Sequence, residues 1–192
     1  MSPGDPLTIL QNSLCGAPII WKGEYPYFIH PISDGIPRMD PDVLRATRDL
    51  IVSSVDWSQV DLIVTVEAMG LPLLAAVGDA TGKPTVVIRK RSYGMEGETR
   101  VDVATGYSQS TVYINDIKAG ERIVIVDDVI STGGTLEPLL ERLENMGVIL
   151  QDVVIAIEKG EGRERLNRER PHWPVRSLAR IDIIDGKVEI VG

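Results

Sequence analysis

The chain reads as an α/β fold, a parallel sheet flanked by helices, and three observations predict it. Four short runs rich in Ile, Val and Leu, at 62–66, 84–88, 123–127 and 153–157, are apolar enough to be buried on both faces, as strands of a parallel sheet are. Three of them lead into segments of helical pattern, the alternation expected of βα units. The stretch 121–146, ERIVIVDDVISTGGTLEPLLERLENM, then gives strand, loop and helix in immediate succession, with Leu136, Leu139, Leu140 and Leu143 at helical spacing.

In chain order, residues 7–14 (LTILQNSL) form a short apolar stretch of one or two helical turns. Residues 18–38 hold four prolines, four aromatics and His30 without a helical period, which excludes a long helix; the aromatic content argues against disorder. Asp40 and Pro41 make an N-cap and first-turn pair for a helix to about Ser53. The strand at 62–66 ends in Glu67, Ala68, Met69 and Gly70, a tight turn into a helix over 71–79. The strand at 84–88 runs into Arg89, Lys90 and Arg91, the densest basic cluster in the chain. Residues 92–111 are rich in Gly, Ser and Thr and read as a mobile excursion with a short strand near 99–103. After the strand at 153–157, Arg163, Arg165, Arg168 and Arg170 read as a charged helix surface, and 175–184 with 187–191 as a terminal hairpin turning at Asp185-Gly186. The division expected is an N-terminal segment, 1–38, and a core, 39–192, with a flexible loop at about 92–110.

At 192 residues and 43% hydrophobic the chain is long enough for one sizeable core. A net charge of −8 with acids and bases interspersed disfavours a nucleic-acid binder. The single cysteine, Cys15, excludes an internal disulfide framework and a four-cysteine zinc site, and reads as a buried or idle thiol. The first ten residues lack the basic start and apolar core of a signal peptide, and no run reaches membrane-spanning length, so a soluble cytoplasmic protein is expected.

The chemistry concentrates in 123–135. Asp127 and Asp128 close the strand, and Ser131, Thr132, Gly133, Gly134 and Thr135 lead into the helix. A helix N-terminus beyond a strand's carboxyl end offers N–H groups and a favourable dipole to an anion. The glycines let the backbone approach phosphate oxygens and the hydroxyls donate to them. Neither G-x-x-x-x-G-K-[ST] nor G-x-G-x-x-G is present, which disfavours nucleoside triphosphate and dinucleotide sites. Two adjacent carboxylates suit vicinal hydroxyls, so the ligand inferred is a ribose 5-phosphate. An acidic turn capping an ordinary helix explains one Asp and one Ser, but not the whole run.

VIVDDVISTGGT resembles the signature of the type I phosphoribosyltransferases, which bind 5-phosphoribosyl 1-diphosphate (PRPP). The resemblance covers most of the chain and extends to the archaeal hypoxanthine-guanine branch, through GEYxYFxHPxxDGIP, EAMG, RKRxYG and TGYS at 23–37, 67–70, 89–94 and 105–108. It implies Asp127 and Asp128 on the ribose hydroxyls and the 131–135 loop on the 5-phosphate. It also implies Glu67, Ala68, Met69 and Gly70 as a diphosphate loop, although the adenine branch commonly has arginine at the position of Met69. Lys90 and Arg91 then supply cations for the leaving group. The excursion becomes a lid that excludes water, with Tyr107 in place of a Glu-Tyr pair whose Glu is Gly106 here. Ser131 stands where the mammalian-type branch has an aspartate near purine N7, so the resemblance names no general acid or base. The aromatic N-terminal segment is a hood in which Phe28 or a tyrosine stacks on a purine, and Glu158 accepts from a purine N–H. Magnesium travels with PRPP, held by substrate oxygens and water rather than by a protein ligand cluster. The activity implied is conversion of hypoxanthine or guanine plus PRPP to IMP or GMP and diphosphate, in a homodimer. Adenine or xanthine specificity is the nearer alternative, and a non-catalytic PRPP-sensing regulator the more distant one.

Overall fold

The computed structural model describes residues 4–23, 25–104 and 109–192. Helix α1 (Pro6–Leu14) begins at Asp5, whose carboxylate accepts from the Thr8 N–H at 3.0 Å. Strands β1 (Ile19–Lys22) and β2 (Tyr25–Phe28) pair antiparallel, and a single turn, α2 (Pro31–Asp34), follows. The proline- and aromatic-rich stretch is thus a small hairpin plus one helical turn. Helix α3 (Pro41–Ser54) starts at Asp40, which accepts from the Asp42 N–H at 2.8 Å. Cys15, just past α1, is exposed.

Next come β3 (Leu62–Val66), α4 (Gly70–Thr81) and β4 (Thr85–Ile88). The segment 92–110 contains the short strand expected near 99–103, and that strand has a partner. Within it and just beyond, β5 (Thr99–Ala104) and β6 (Gln109–Ile114) pair residue for residue as an antiparallel hairpin. The approach to the hairpin is organised by Glu98, which accepts from the Tyr93 N–H at 2.9 Å and Asn115 Nδ2 at 3.0 Å. Those bonds, with one from Ser92, hold its carboxyl down at about 2. Polar composition hid the hairpin because only one side of it packs inward: Val101, Val103, Val112 and Ile114 are buried.

The chain continues through β7 (Arg122–Ile130), α5 (Leu136–Asn145), β8 (Ile149–Lys159), α6 (Gly162–Glu169), β9 (Val175–Ile184) and β10 (Lys187–Ile190). The central sheet has the order β10-β9-β8-β7-β3-β4. Every neighbouring pair is parallel except β9 with β10. The terminal hairpin is therefore part of the main sheet, its β9 lying parallel on β8.

Side chains of β7 alternate between two cores. Ile123 and Ile125 pack with Leu139, Leu140 and Leu143 of α5 and with the inward face of the β5–β6 hairpin. Val124 and Val126 pack on the other side, with Leu10, Ile51, Leu73 and Val77 from α1, α3 and α4. Each such buried side chain contributes about 1.5–3 kcal/mol relative to exposure. Strand β3 has β4 on one side and β7 on the other, so the direction of winding reverses between β3 and β7. That reversal opens a crevice beyond the strands' carboxyl ends, where α/β sheets bind ligands. Among the described residues, no helix is long and apolar enough to cross a membrane.

Candidate active site

A cavity of about 450 Å³ occupies that crevice. Its walls include Asp127 and Asp128, Ser131, Thr132, Gly133, Gly134 and Thr135, together with Glu67, Ala68, Met69 and Lys90. The structure thus brings most of the residues picked out in the sequence to one place. Gly70, Arg91 and Glu158 are not in the cavity wall, and Tyr107 lies outside the described residues.

Two helices point their N-termini at the cavity, and both lack the side-chain cap that α1, α2 and α3 possess. Asp5, His30 and Asp40 accept N–H groups at the starts of α1, α2 and α3, whereas Met69 and Thr135 make no such bond for α4 and α5. Uncapped first-turn N–H groups facing a cavity are an anion site. Gly133, at φ +79°, turns the loop into α5, and its carbonyl accepts from the Glu137 N–H at 2.9 Å. At Gly134 the reason for glycine is contact: a Cβ would lie 2.4 Å from the Ala104 carbonyl oxygen. The Ala104 N–H donates to the Gly134 carbonyl at 3.0 Å, so the β5–β6 hairpin is seated on the loop.

Burial pushes the carboxyls of Asp127 and Asp128 up from the usual range, and the charge of Asp127 raises Asp128 further. Lys90, across the cavity, works in the opposite direction on Asp127. The pair is suited to ligand hydroxyls or a cation, which restore the solvation that burial removes. Gly70 supports it from behind: a Cβ there would fall 1.8 Å from Thr65 Oγ1 and 2.7 Å from Asp127 Oδ1. Its role is close packing, not lining.

On the β3–β4 side, Glu67 accepts from the Lys90 N–H and pairs with Arg89 Nε at 2.7 Å. This carboxylate ties the turn after β3 to the end of β4 and so places Lys90. Arg91, paired with Lys90 in the sequence reading, points elsewhere. Its guanidinium donates to the Tyr93 hydroxyl at 3.2 Å and lies 4.9 Å from the Tyr93 ring centroid. Both residues lie in the bend that follows β4, so the two cations take different directions.

The opposite end of the cavity is lined by Tyr25, Tyr27 and Phe28 of β2 and by Lys159 at the end of β8. Tyr25 and Ser131 share a hydrogen bond of 3.2 Å between their hydroxyls. Lys159, only 7% exposed, donates to the Pro26 carbonyl, and its Nζ lies 3.9 Å from the centroid of the Tyr25 ring. Burial raises the Tyr25 phenol, but hydrogen bonds with Ser131 and Lys159 and the charges of Lys159 and Lys22 outweigh it and bring the phenol below its ordinary value. Phe28 reaches the cavity but is mostly core, 4% exposed, so the tyrosines present more ring surface there.

Glu158 does not take the role expected of it. It is fully buried, paired with Arg163, and accepts from Ser177 Oγ at 2.6 Å. Neighbouring strand residues face opposite sides, and Lys159 has the cavity side. The arginines of α6 also depart from a plain solvated face. Arg163 holds Glu158, and Arg165 donates to the Thr132 carbonyl at 3.3 Å and to Glu137 at 2.7 Å. Lys159, in the cavity wall, and Arg165, bonded to the back of the 131–135 loop, are residues that sequence reasoning does not pick out. The signal for the first was the lysine directly beside the glutamate at a strand end. The second carried none, since its partners lie 28 and 33 residues away. Among the described residues, no group of three or more His, Cys, Asp or Glu is placed to hold a metal ion.

The model of the phosphoribosyl transferase domain family matches residues 38–176. The chain is 49% identical over 181 residues to the hypoxanthine/guanine phosphoribosyltransferase of Methanocaldococcus infernus, covering 94% of this chain and 98% of the relative. It is 48% identical over 185 residues to the protein of the same name from Ferroglobus placidus, covering 96% and 97%. The adenine phosphoribosyltransferase of Thermoanaerobacter pseudethanolicus superposes with a TM-score of 0.73 at 22% identity, over 89% of this chain and 99% of that one, a likeness of fold. With a strand-loop-helix unit at the switch point of a matching fold and a family model spanning most of its length, the chain belongs to the phosphoribosyl transferase domain family.

Proposed function

We propose that the chain is a purine phosphoribosyltransferase that converts hypoxanthine or guanine and PRPP to IMP or GMP and diphosphate. The observation that carries the choice of base is Lys159, a buried cation at the end of the cavity next to the phosphate loop. Its ammonium has donors only, so it complements a carbonyl at purine C6 and opposes an amino group there. The names of the relatives support the same reading.

In the reaction, purine N9 forms a bond to ribose C1′ as the bond from C1′ to the diphosphate oxygen breaks and its electron pair leaves with the diphosphate, while the proton of the purine's imidazole ring is released to the diphosphate or to water. The chain positions and stabilises. Asp127 and Asp128 accept the ribose hydroxyls, and the N–H groups and hydroxyls of 131–135 hold the 5-phosphate. Lys90 and the turn Glu67–Ala68–Met69 receive the leaving group. The β1–β2 hairpin serves as hood over the base, residues 39–192 as the PRPP-binding core, and the 92–110 segment with Tyr107 as lid. Magnesium, bound with PRPP, neutralises diphosphate charge. The chain's donors near it are the hard oxygens of Asp127 and Asp128, which suit that ion through substrate and water. A homodimer and a cytoplasmic setting belong to the same proposal.

The test is product formation from PRPP and magnesium with hypoxanthine, guanine, adenine and xanthine supplied separately. Turnover of hypoxanthine or guanine is expected. Turnover of adenine alone overturns the choice of base, and PRPP binding without turnover of any purine overturns the enzyme in favour of a sensor.

A further inference from the structure

The 5-phosphate loop does not stand alone; it rests on α6, a helix outside the cavity. The Gly162 N–H donates to the Ser131 carbonyl at 2.9 Å. A Cβ on Gly162 would lie 2.2 Å from that oxygen and 2.6 Å from the Thr132 carbonyl carbon, so the helix start sits directly on loop backbone. One turn on, Arg165 Nη2 donates to the Thr132 carbonyl at 3.3 Å and to Glu137 Oε2 at 2.7 Å, and its Nη1 donates to Glu169 at 2.8 Å.

These contacts have two consequences for an anion in the loop. In a trans peptide the C=O and the following N–H point in opposite directions. With the Ser131 and Thr132 carbonyls turned to α6, the N–H groups of Thr132 and Gly133 are directed away from it, and both residues line the cavity. The second consequence concerns charge. Glu137 lies in the first turn of α5, the helix whose uncapped N-terminus faces the cavity. A carboxylate there competes with a phosphate for the same positive end of the helix. The Arg165 guanidinium, 32% exposed, lies against that carboxylate and compensates it.

We propose that Arg165 is a positioning residue for the 5-phosphate loop, orienting the Thr132–Gly133 peptide and neutralising Glu137 so that the loop accepts a phosphate dianion. The proposal rests on the phosphoribosyl reading of the cavity. No atom of Arg165 need touch the ligand.

The experiment measures binding of ribose 5-phosphate by calorimetry, and KM for PRPP and for the purine by steady-state kinetics, in wild type, Arg165→Gln, Arg165→Lys, Glu137→Gln and the double variant Arg165→Gln/Glu137→Gln. Arg165→Gln should weaken ribose 5-phosphate and raise the KM of PRPP about tenfold, with the purine KM within about twofold, the size expected for losing one charge-assisted contact. Arg165→Lys, which keeps the charge and is the safer variant for folding, should fall between. The double variant should recover part of the loss, because the carboxylate left uncompensated is gone. Wild-type affinity for ribose 5-phosphate in both Arg165 variants, with only a lower melting temperature, overturns the proposal. A double variant no better than Arg165→Gln overturns its charge component. A wild type that binds neither ribose 5-phosphate nor PRPP overturns instead the reading on which it rests.

Discussion

The two ends of the cavity are built in opposite ways. The end to which we assign the phosphate is one uninterrupted stretch, Asp127 to Thr135, which leads into a helix start without a side-chain cap. The end to which we assign the base is assembled from distant parts: Tyr25 reaches Ser131 across 106 residues, and Lys159 reaches the Pro26 carbonyl across 133. A phosphate demands the same geometry in any enzyme, and a short loop supplies it. A base is chosen by a few donors and acceptors, and these come from wherever the fold delivers them. The comparison predicts that the ends fail separately when each is altered.

The largest effect is expected at Asp127 and Asp128, the carboxylates we assign to the ribose. Asp128→Asn should lower PRPP turnover by about a hundredfold or more, as loss of charge-assisted bonds of about 1.5–3 kcal/mol each implies. The same variant should be more stable than wild type at neutral pH. The folded protein raises the carboxyl of Asp128 above its unfolded value, so the stability tied to the protonated form is present at acid pH and lost as pH rises through the folded value. Asparagine removes that loss. A rise in melting temperature at pH 7.5 that shrinks as pH falls toward 4 is the expected outcome.

Lys159→Met addresses the other end. It should raise the KM of hypoxanthine about tenfold to a hundredfold and leave PRPP binding intact, which calorimetry with PRPP separates from turnover. An equal loss at both ends would break the comparison. Gly134→Ala crosses from the loop to the β5–β6 hairpin. The added methyl meets the Ala104 carbonyl, which is backbone and must shift, so PRPP affinity should fall about tenfold with the purine KM little changed.

A smaller effect comes from pH. His30 is buried between α1 and α2, with Nε2 3.1 Å from Ser13 Oγ and Nδ1 accepting from the Ile32 N–H. Burial lowers its pKa to about 4, against the opposing charge of Asp34. The depressed value means that its contribution is present above about 6.5 and is lost as pH falls toward about 4. Because His30 lies two residues past the end of β2, acid should loosen that end of the cavity first: the purine KM should rise below pH 6 before the PRPP KM does. The smallest effect is expected for Arg91→Ala. Its guanidinium lies on Tyr93 outside the cavity wall, so kcat and both KM values should stay within about twofold of wild type.

The same comparison explains what the sequence revealed. Strands and helices with strong apolar periods, such as 62–66 and 136–143, were legible, and so was the acid pair with its glycine loop, because each is local. Lys159 was obscured by its neighbour Glu158, since a strand end gives no sign of which residue faces inward until the pairing with β7 and β9 fixes the parity. Arg91 and Lys90 are adjacent in sequence, and only the bend after β4 turns them apart. The sequence shows the first strand of the β5–β6 hairpin, near 99–103, but not its partner, because the apolar residues of β6 are few and become a core face only against α5. Arg165 looked like one of several surface arginines, and only the fold sets it against Thr132 and Glu137.

The most direct test of this division is the ratio of kcat/KM for hypoxanthine to that for adenine, measured with saturating PRPP in wild type and in Lys159→Met. A ratio well above one in wild type that collapses toward one in the variant, with PRPP affinity unchanged, is the predicted result. An unchanged ratio, or a loss of PRPP affinity with it, would contradict the assignment of base choice to Lys159 and of PRPP binding to the 127–135 stretch.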